Sequence, residues 1–62
     1  MSDLEYYTLT GEIRRETELA ILFYDGDREV WIPKSLLEDR TVYSDEVEIV
    51  IPRWFAEEKE LA

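Results

Sequence analysis

Val30-Trp31-Ile32-Pro33-Lys34-Ser35-Leu36-Leu37-Glu38 has an echo nineteen residues on, in Ile49-Val50-Ile51-Pro52-Arg53-Trp54-Phe55-Ala56-Glu57. Each copy is a β-branched apolar run followed by a proline, a cation, apolar residues and a glutamate. Proline has no backbone N–H and closes a ladder readily, and its fixed φ suits the first turn of a helix. Both copies therefore read as a strand running straight into a helical turn. Two such corners are an architectural device and not a solenoid repeat, which needs at least three copies.

Outward from the first copy, Asp25-Gly26 is a two-residue hairpin signal of the type I′ kind, in which both central residues take positive φ. Across it Ile21 is expected opposite Val30 and Leu19 opposite Ile32, all on one face. Leu19–Tyr24 is apolar throughout, which predicts a central strand covered on both sides. Before it, residues 6–15 alternate. Tyr7, Leu9, Gly11 and Ile13 take one face, while Tyr6, Thr8, Thr10, Glu12 and Arg14 take the other. Gly11 within that strand marks a bend or bulge where another backbone comes close. Arg15-Glu16-Thr17 is expected to turn the chain.

After Pro33, residues 34–40 allow one or two helical turns. Thr41-Val42-Tyr43 reconnects, Ser44-Asp45 turns, and residues 46–51 form a strand with Val47, Ile49 and Ile51 inward. Residues 53–62 read as a short helix. Its stripe of Trp54 and Leu61, flanked by Phe55, is expected to dock on the sheet, because an isolated helix of this length is marginal in water. The expected fold is mostly β with short α. It is a small antiparallel sheet of four to five strands, strongly bent or rolled into an OB/SH3-like barrel, with one helical turn after the third strand and a C-terminal helix. Residues 1–62 form a single domain, with a frayed terminus at 1–5, a barrel-like core at 6–51 and the helix at 53–62.

Sixteen acids against seven bases leave a net charge of −9 over 62 residues. A chain this short buries about 60% of its unfolded surface, so it needs a dense core. Cysteine and histidine are both absent, which removes disulfides and ordinary zinc sites and leaves the aromatic residues to supply packing. The first residues show no signal peptide, and no run reaches the roughly 18 apolar residues of a membrane span. A cytoplasmic protein is expected. The negative charge weakens binding to phosphate backbones and suits a solvated surface or a basic partner.

Candidate chemistry is sparse. Without cysteine or histidine, Ser35 and Ser44 have only carboxylates or Lys34 as bases, and Ser35 next to Lys34 points elsewhere on a helical turn. Asp25-Gly26-Asp27 lacks the further ligands of a calcium loop. No glycine-rich phosphate loop exists. No catalytic residue, metal ligand or cofactor is expected. Trp31 is the residue that folding explains least, because Val30 and Ile32 claim the core face and leave the indole opposite. Either the C-terminal helix or Tyr6 covers it, or it is an exposed aromatic for partner contact. Lys34 and Arg53, each following its proline, are candidates for a small cationic spot.

Gly11-Glu12-Ile13, Ala20-Ile21-Leu22-Phe23, Gly26, Ile32-Pro33-Lys34-Ser35-Leu36 and Asp45–Ile51 resemble the strands and turns of oligonucleotide-binding barrels. The similarity is greatest to the RNA-binding repeat of the large ribosomal small-subunit protein. The chain departs from that pattern in having a helix where a fifth strand would stand, and in lacking the basic RNA-facing surface. More closely, the chain resembles small proteins of bacteriophages and bacteria. The carrying runs are Thr10-Gly11-Glu12-Ile13, Glu16–Leu22, Val30-Trp31-Ile32-Pro33-Lys34-Ser35 and Ile51-Pro52-Arg53-Trp54-Phe55-Ala56-Glu57-Glu58-Lys59. That resemblance carries no activity and implies only a setting.

Three functions are open to such a chain. The first is a non-enzymatic module that binds another protein through Trp31, Lys34, Arg53 and Tyr6, in a setting where nucleic acid is handled. The second is a single-strand nucleic-acid binder, stacking bases on Tyr6, Trp31 and Tyr24 and holding phosphates with Arg14, Arg15, Lys34 and Arg53. The third is a homo-oligomer that pairs an edge strand across a two-fold axis.

Overall fold

A computed structural model describes residues 5–62 as five antiparallel strands in one sheet, a single 3-10 turn and a short C-terminal helix. The strands are β1 (Tyr6–Glu16), β2 (Ala20–Tyr24), β3 (Glu29–Pro33), β4 (Asp39–Val42) and β5 (Val47–Pro52), and the helix α1 is Arg53–Glu58. Their order across the sheet is β3-β2-β1-β5-β4. The expected frayed terminus lies, for residues 1–4, outside the described residues. Glu5 is held, its carbonyl accepting the Arg53 N–H at 2.8 Å.

The long first strand makes the sheet barrel-like. Its first half, Tyr6–Gly11, pairs with β5, and its second half, Glu12–Glu16, pairs with β2. Gly11 sits at the changeover. A Cβ there would collide with the Tyr24 carbonyl oxygen and stand 3.0 Å from Phe23 Cζ, so only glycine lets the two backbones close. The close approach is at Gly11 as expected. The register slip comes slightly later, between Ile13 and Arg15, and Arg14 is the extra residue of a bulge.

Both strand–proline–helix corners form. Pro33 (φ −63°, ψ 136°) precedes the 3-10 turn Lys34–Leu36, and Pro52 (φ −63°, ψ 141°) precedes α1. The Lys34 N–H donates to the Leu19 carbonyl at 2.7 Å. Alternation in an antiparallel ladder then turns the Pro33 nitrogen away from β2. By the same parity Pro52 faces away from β1, since the bonded pairs there include Arg53 with Glu5. Neither proline removes a ladder bond, which is why each can end a strand inside a sheet this small.

Four expectations about the elements need correction. The β2–β3 turn is not a two-residue type I′ turn. Of its residues only Gly26 has positive φ (101°), and Asp25 Oδ1 accepts the N–H groups of Asp27 (2.9 Å) and Arg28 (3.0 Å). This carboxylate-stapled loop adds two residues, so Ile21 faces Ile32 and Phe23 faces Val30. A shift of two preserves parity, and the core face survives. Next, β2 lies inside the sheet but is covered on one side. Ile21 and Phe23 are buried, Leu22 and Tyr24 are half-buried, and Leu19 lies exposed outside the strand. Third, β1 runs on through Glu16, and the turn after it is closed by Thr17, whose Oγ1 accepts the Ala20 N–H at 3.0 Å. Last, only Lys34–Leu36 is helical after Pro33, and Asp39–Val42 is a strand, paired with β5 from Asp39↔Val50 to Val42↔Val47.

The helix brings the largest correction. Trp54 is not its anchor, being 58% exposed, whereas Phe55 is 5% exposed and Ala56 fully buried. These two join Ile21, Phe23, Ile32, Ile49 and Ile51 in the core, with Leu61 packed against it. The helix stops at Glu58. Glu60 takes φ 61°, the Glu60 N–H donates to the Glu57 carbonyl (3.1 Å) and the Leu61 N–H to the Ala56 carbonyl (2.7 Å). That is a Schellman closure with glutamate where glycine is usual. The Arg28 guanidinium donates to the Lys59 carbonyl and, at 3.1 Å, to the Glu60 carbonyl. Thus α1 starts from β5 in one half of the sheet and is tied at its end to the β2–β3 loop of the other.

Candidate interaction face and edges

Parity decides what faces outward. On β2 and β3 the inward residues Ile21, Phe23, Val30 and Ile32 leave Leu22, Tyr24, Trp31 and Pro33 on the outer face. Trp31 lies directly opposite Leu22, which lies opposite Arg15. Tyr24 is the diagonal neighbour of Trp31, within reach of an aromatic side chain. Among the described residues no element packs over this face, and Trp31 is 46% exposed. Neither α1 nor Tyr6 covers the indole: the helix packs on β1 and β5, and Tyr6 stands opposite Pro52 at the far end of β1. The outer face of the other half carries Thr8, Thr10, Thr41, Glu48 and Asp39 around Val50, with the exposed rings of Tyr6 and Tyr43 at its opposite margins.

The sequence candidates fall into two groups that share no strand pairing, hydrogen bond or ion pair. Trp31 and Lys34 stand at the end of β3, and Tyr6 and Arg53 at the corner where β1 begins beside α1. Lys34 and Arg53 make no joint cationic spot, because each has its own carboxylates. Lys34 Nζ is 2.7 Å from Glu16 Oε2, while Arg53 Nε is 3.1 Å from Glu57 and its Nη1 3.8 Å from Glu5. Glu16 also receives both Nη groups of Arg40 at 3.2 Å. Hydrogen bonds from Arg40, then Lys34, pull its pKa down from 4.5 to about 2. This three-residue clamp ties β1 to the end of β3 and to β4, the two edges that no ladder joins.

Arg14 lies over the Tyr24 ring, 4.1 Å from its centroid, with Nε 3.2 Å from Glu12 and Nη1 3.6 Å from Glu29. Arg15 has no ion-pair partner among the described residues. Sequence reasoning grouped Tyr24 with Trp31 as a stacking residue but missed Leu22 as the partner directly opposite. The signal was present in the strict alternation of Leu22 and Tyr24 with Ile21 and Phe23, once β2 is read as covered on one side only.

A cleft of about 180 Å³ lies between the β2–β3 and β4–β5 turns, lined in part by Tyr24, Asp25, Asp45 and Glu46, below the ~300 Å³ of ordinary ligand pockets. The Asp25 carboxyl is held below its ordinary range by the N–H groups of Arg28 and Asp27, so it is a turn staple. Among the described residues no helix is long and apolar enough to cross a membrane. No protein-family model, curated protein or solved structure matches the chain.

Proposed function

We propose that the chain is a non-enzymatic interaction module that contacts another protein through the outer face of β2 and β3, with Trp31 at its centre. The observation that carries this reading is the contiguous row Arg15–Leu22–Trp31 with Tyr24 beside it, whereas on the other half the exposed rings of Tyr6 and Tyr43 stand apart. Burying a half-exposed tryptophan against a partner is the kind of contact that dominates interface energies. The resemblance to small bacteriophage and bacterial proteins supports a bacterial or phage setting, with the cytoplasm as the compartment and a partner that handles nucleic acid.

A single nucleic-acid strand is the weaker occupant. Stacking would suit Trp31 and Tyr24, but strand binding also needs free cations along the path. Arg14 is engaged by Glu12 and Glu29 and Lys34 by Glu16, which leaves Arg15 alone against a net charge of −9.

The test is capture of partners from bacterial lysate on immobilised wild-type chain and on Trp31→Ala and Leu22→Ser variants, each first shown to be folded by circular dichroism. A protein held by wild type and lost by both variants is the expected result. Equal capture by all three contradicts the assignment of this face. A labelled oligonucleotide that binds at about 20 mM salt, where phosphate contacts are strongest, and is released by Trp31→Ala would replace the protein partner with a strand.

A further inference from the structure

We propose that the free edge of β4 accepts an extended, cationic segment of another protein as a sixth strand, a second surface at the opposite end of the strand order from β3. β4 is the last strand of the sheet and pairs with β5 alone. The Tyr43 N–H donates to the Glu46 carbonyl at 2.8 Å. Antiparallel alternation then points Thr41 at β5 and turns the N–H and C=O groups of Arg40 and Val42 outward. The Arg40 N–H agrees with this direction, since it donates to Asp39 Oδ1 at 2.8 Å instead of to β5. The Arg40 carbonyl and both main-chain groups of Val42 are left facing solvent.

Open edges are normally guarded by a lysine, a proline, a bulge or a covering element. The β3 edge has such a guard in Pro33, whose nitrogen occupies an outward position. β4 is only four residues long and its one cation, Arg40, is turned inward onto Glu16, so its guard is confined to that end, and Val42 at the other end stands 69% exposed beside the exposed Tyr43.

Charge selects the occupant. Glu38, Asp39, Asp45, Glu46 and Glu48 surround this hairpin, and none of them pairs with a cation among the described residues, Glu48 accepting only the Tyr43 hydroxyl at 2.9 Å. Arg40 is the only cation between Lys34 and Arg53, and it is turned inward onto Glu16. A second copy of the chain would set these five carboxylates against five more, and such like-charge contact opposes self-pairing. The incoming strand is therefore foreign and basic. Parity gives its pattern as well. An apolar residue extends the Val47–Val42 row, and lysine or arginine at alternate positions meets the row of Asp39 and Thr41.

The experiment follows amide hydrogen exchange by NMR while a short peptide of alternating lysine and valine is added to the whole chain. Its counterparts are an alternating glutamate–valine peptide and the lysine peptide N-methylated on its valines. The expected result is exchange at the Val42 N–H slowed about tenfold, as for one added hydrogen bond, by the lysine peptide alone, with the effect fading as salt is raised. Val42→Pro removes the outward N–H without touching the β5 ladder and abolishes the protection of neighbouring amides. Val42→Lys, which repels the peptide, does the same if the proline disturbs the turn. Protection at Glu29 and Trp31 instead, no protection at Val42, or an equal response to the N-methylated peptide overturns the proposal. So does protection of Val42 that grows with the concentration of the chain alone.

Discussion

Replacing Phe55 by alanine should cost this protein a large share of its stability, while the same change at Trp54 next to it should not. Phe55 is 5% exposed and sits among the isoleucines of the core, so its truncation costs the transfer of the ring plus the cavity left behind. For a buried phenylalanine that is about 3–5 kcal/mol. A domain of this length has about 3–9 kcal/mol in total at ordinary per-residue values, so the variant loses about a third of that or more. Trp54 is mostly in water and makes one edge-to-face contact with Phe55, at 5.8 Å between centroids. Such a contact is worth about 0.5–1.5 kcal/mol, and Trp54→Ala should cost about that much. Urea denaturation followed by circular dichroism separates the two. Equal midpoints for the variants, or a larger loss for Trp54→Ala, would refute the assignment of Phe55 and Ala56 as the helix anchor.

Gly11→Ala drives a Cβ into the Tyr24 carbonyl at the point where β1 changes partners; a loss of about 1–3 kcal/mol, as in other overpacked sites, should appear as a lower thermal midpoint, and an unchanged midpoint would mean that the strands do not close there. Glu60→Gly relieves a left-handed residue at φ 61° while keeping the carbonyls that Arg28 grips; a gain of about 1 kcal/mol should raise the melting temperature by about 4 °C or more. Glu16 has a folded-state pKa depressed from 4.5 to about 2, so its contribution is complete above about pH 4.5 and is lost as pH falls toward 2. Urea midpoints measured across that window should fall less steeply for Glu16→Gln than for wild type, and identical slopes would remove the clamp with Arg40 and Lys34 from the account.

The parts of this fold legible in the sequence were those set by period-2 alternation and by proline. Tyr7, Leu9 and Ile13 face in, as do Val47, Ile49 and Ile51, and both prolines stand where strand gives way to helical turn. Loop length was not legible at Asp25-Gly26, because the Asp25 side chain builds a longer turn from the same residues that signal a short one. β4 was hidden for a different reason. Asp39–Val42 is short and polar, and it is a strand only because β5 offers it a ladder. The helix stripe misled because it assumed an unbroken helix from Trp54 to Leu61, seven positions apart. The helix ends at Glu58 and the chain reverses through Glu60, so Leu61 reaches the core from outside the helix, and Phe55 instead of Trp54 lies beneath it. At the candidate face, Trp31 was legible by parity alone. Its neighbour Leu22 was obscured by reading an unbroken apolar run as a strand covered on both sides.

The central claim, that the outer face around Trp31 is where a partner sits, is tested most directly by photo-cross-linking. A benzophenone amino acid placed at position 31 or, as a control for simple exposure, at position 54 is irradiated in living bacterial cells. The account predicts a discrete adduct of higher mass from position 31 and none from position 54, although residue 54 is the more exposed of the two. No adduct from position 31, or the same adducts from both, would contradict it.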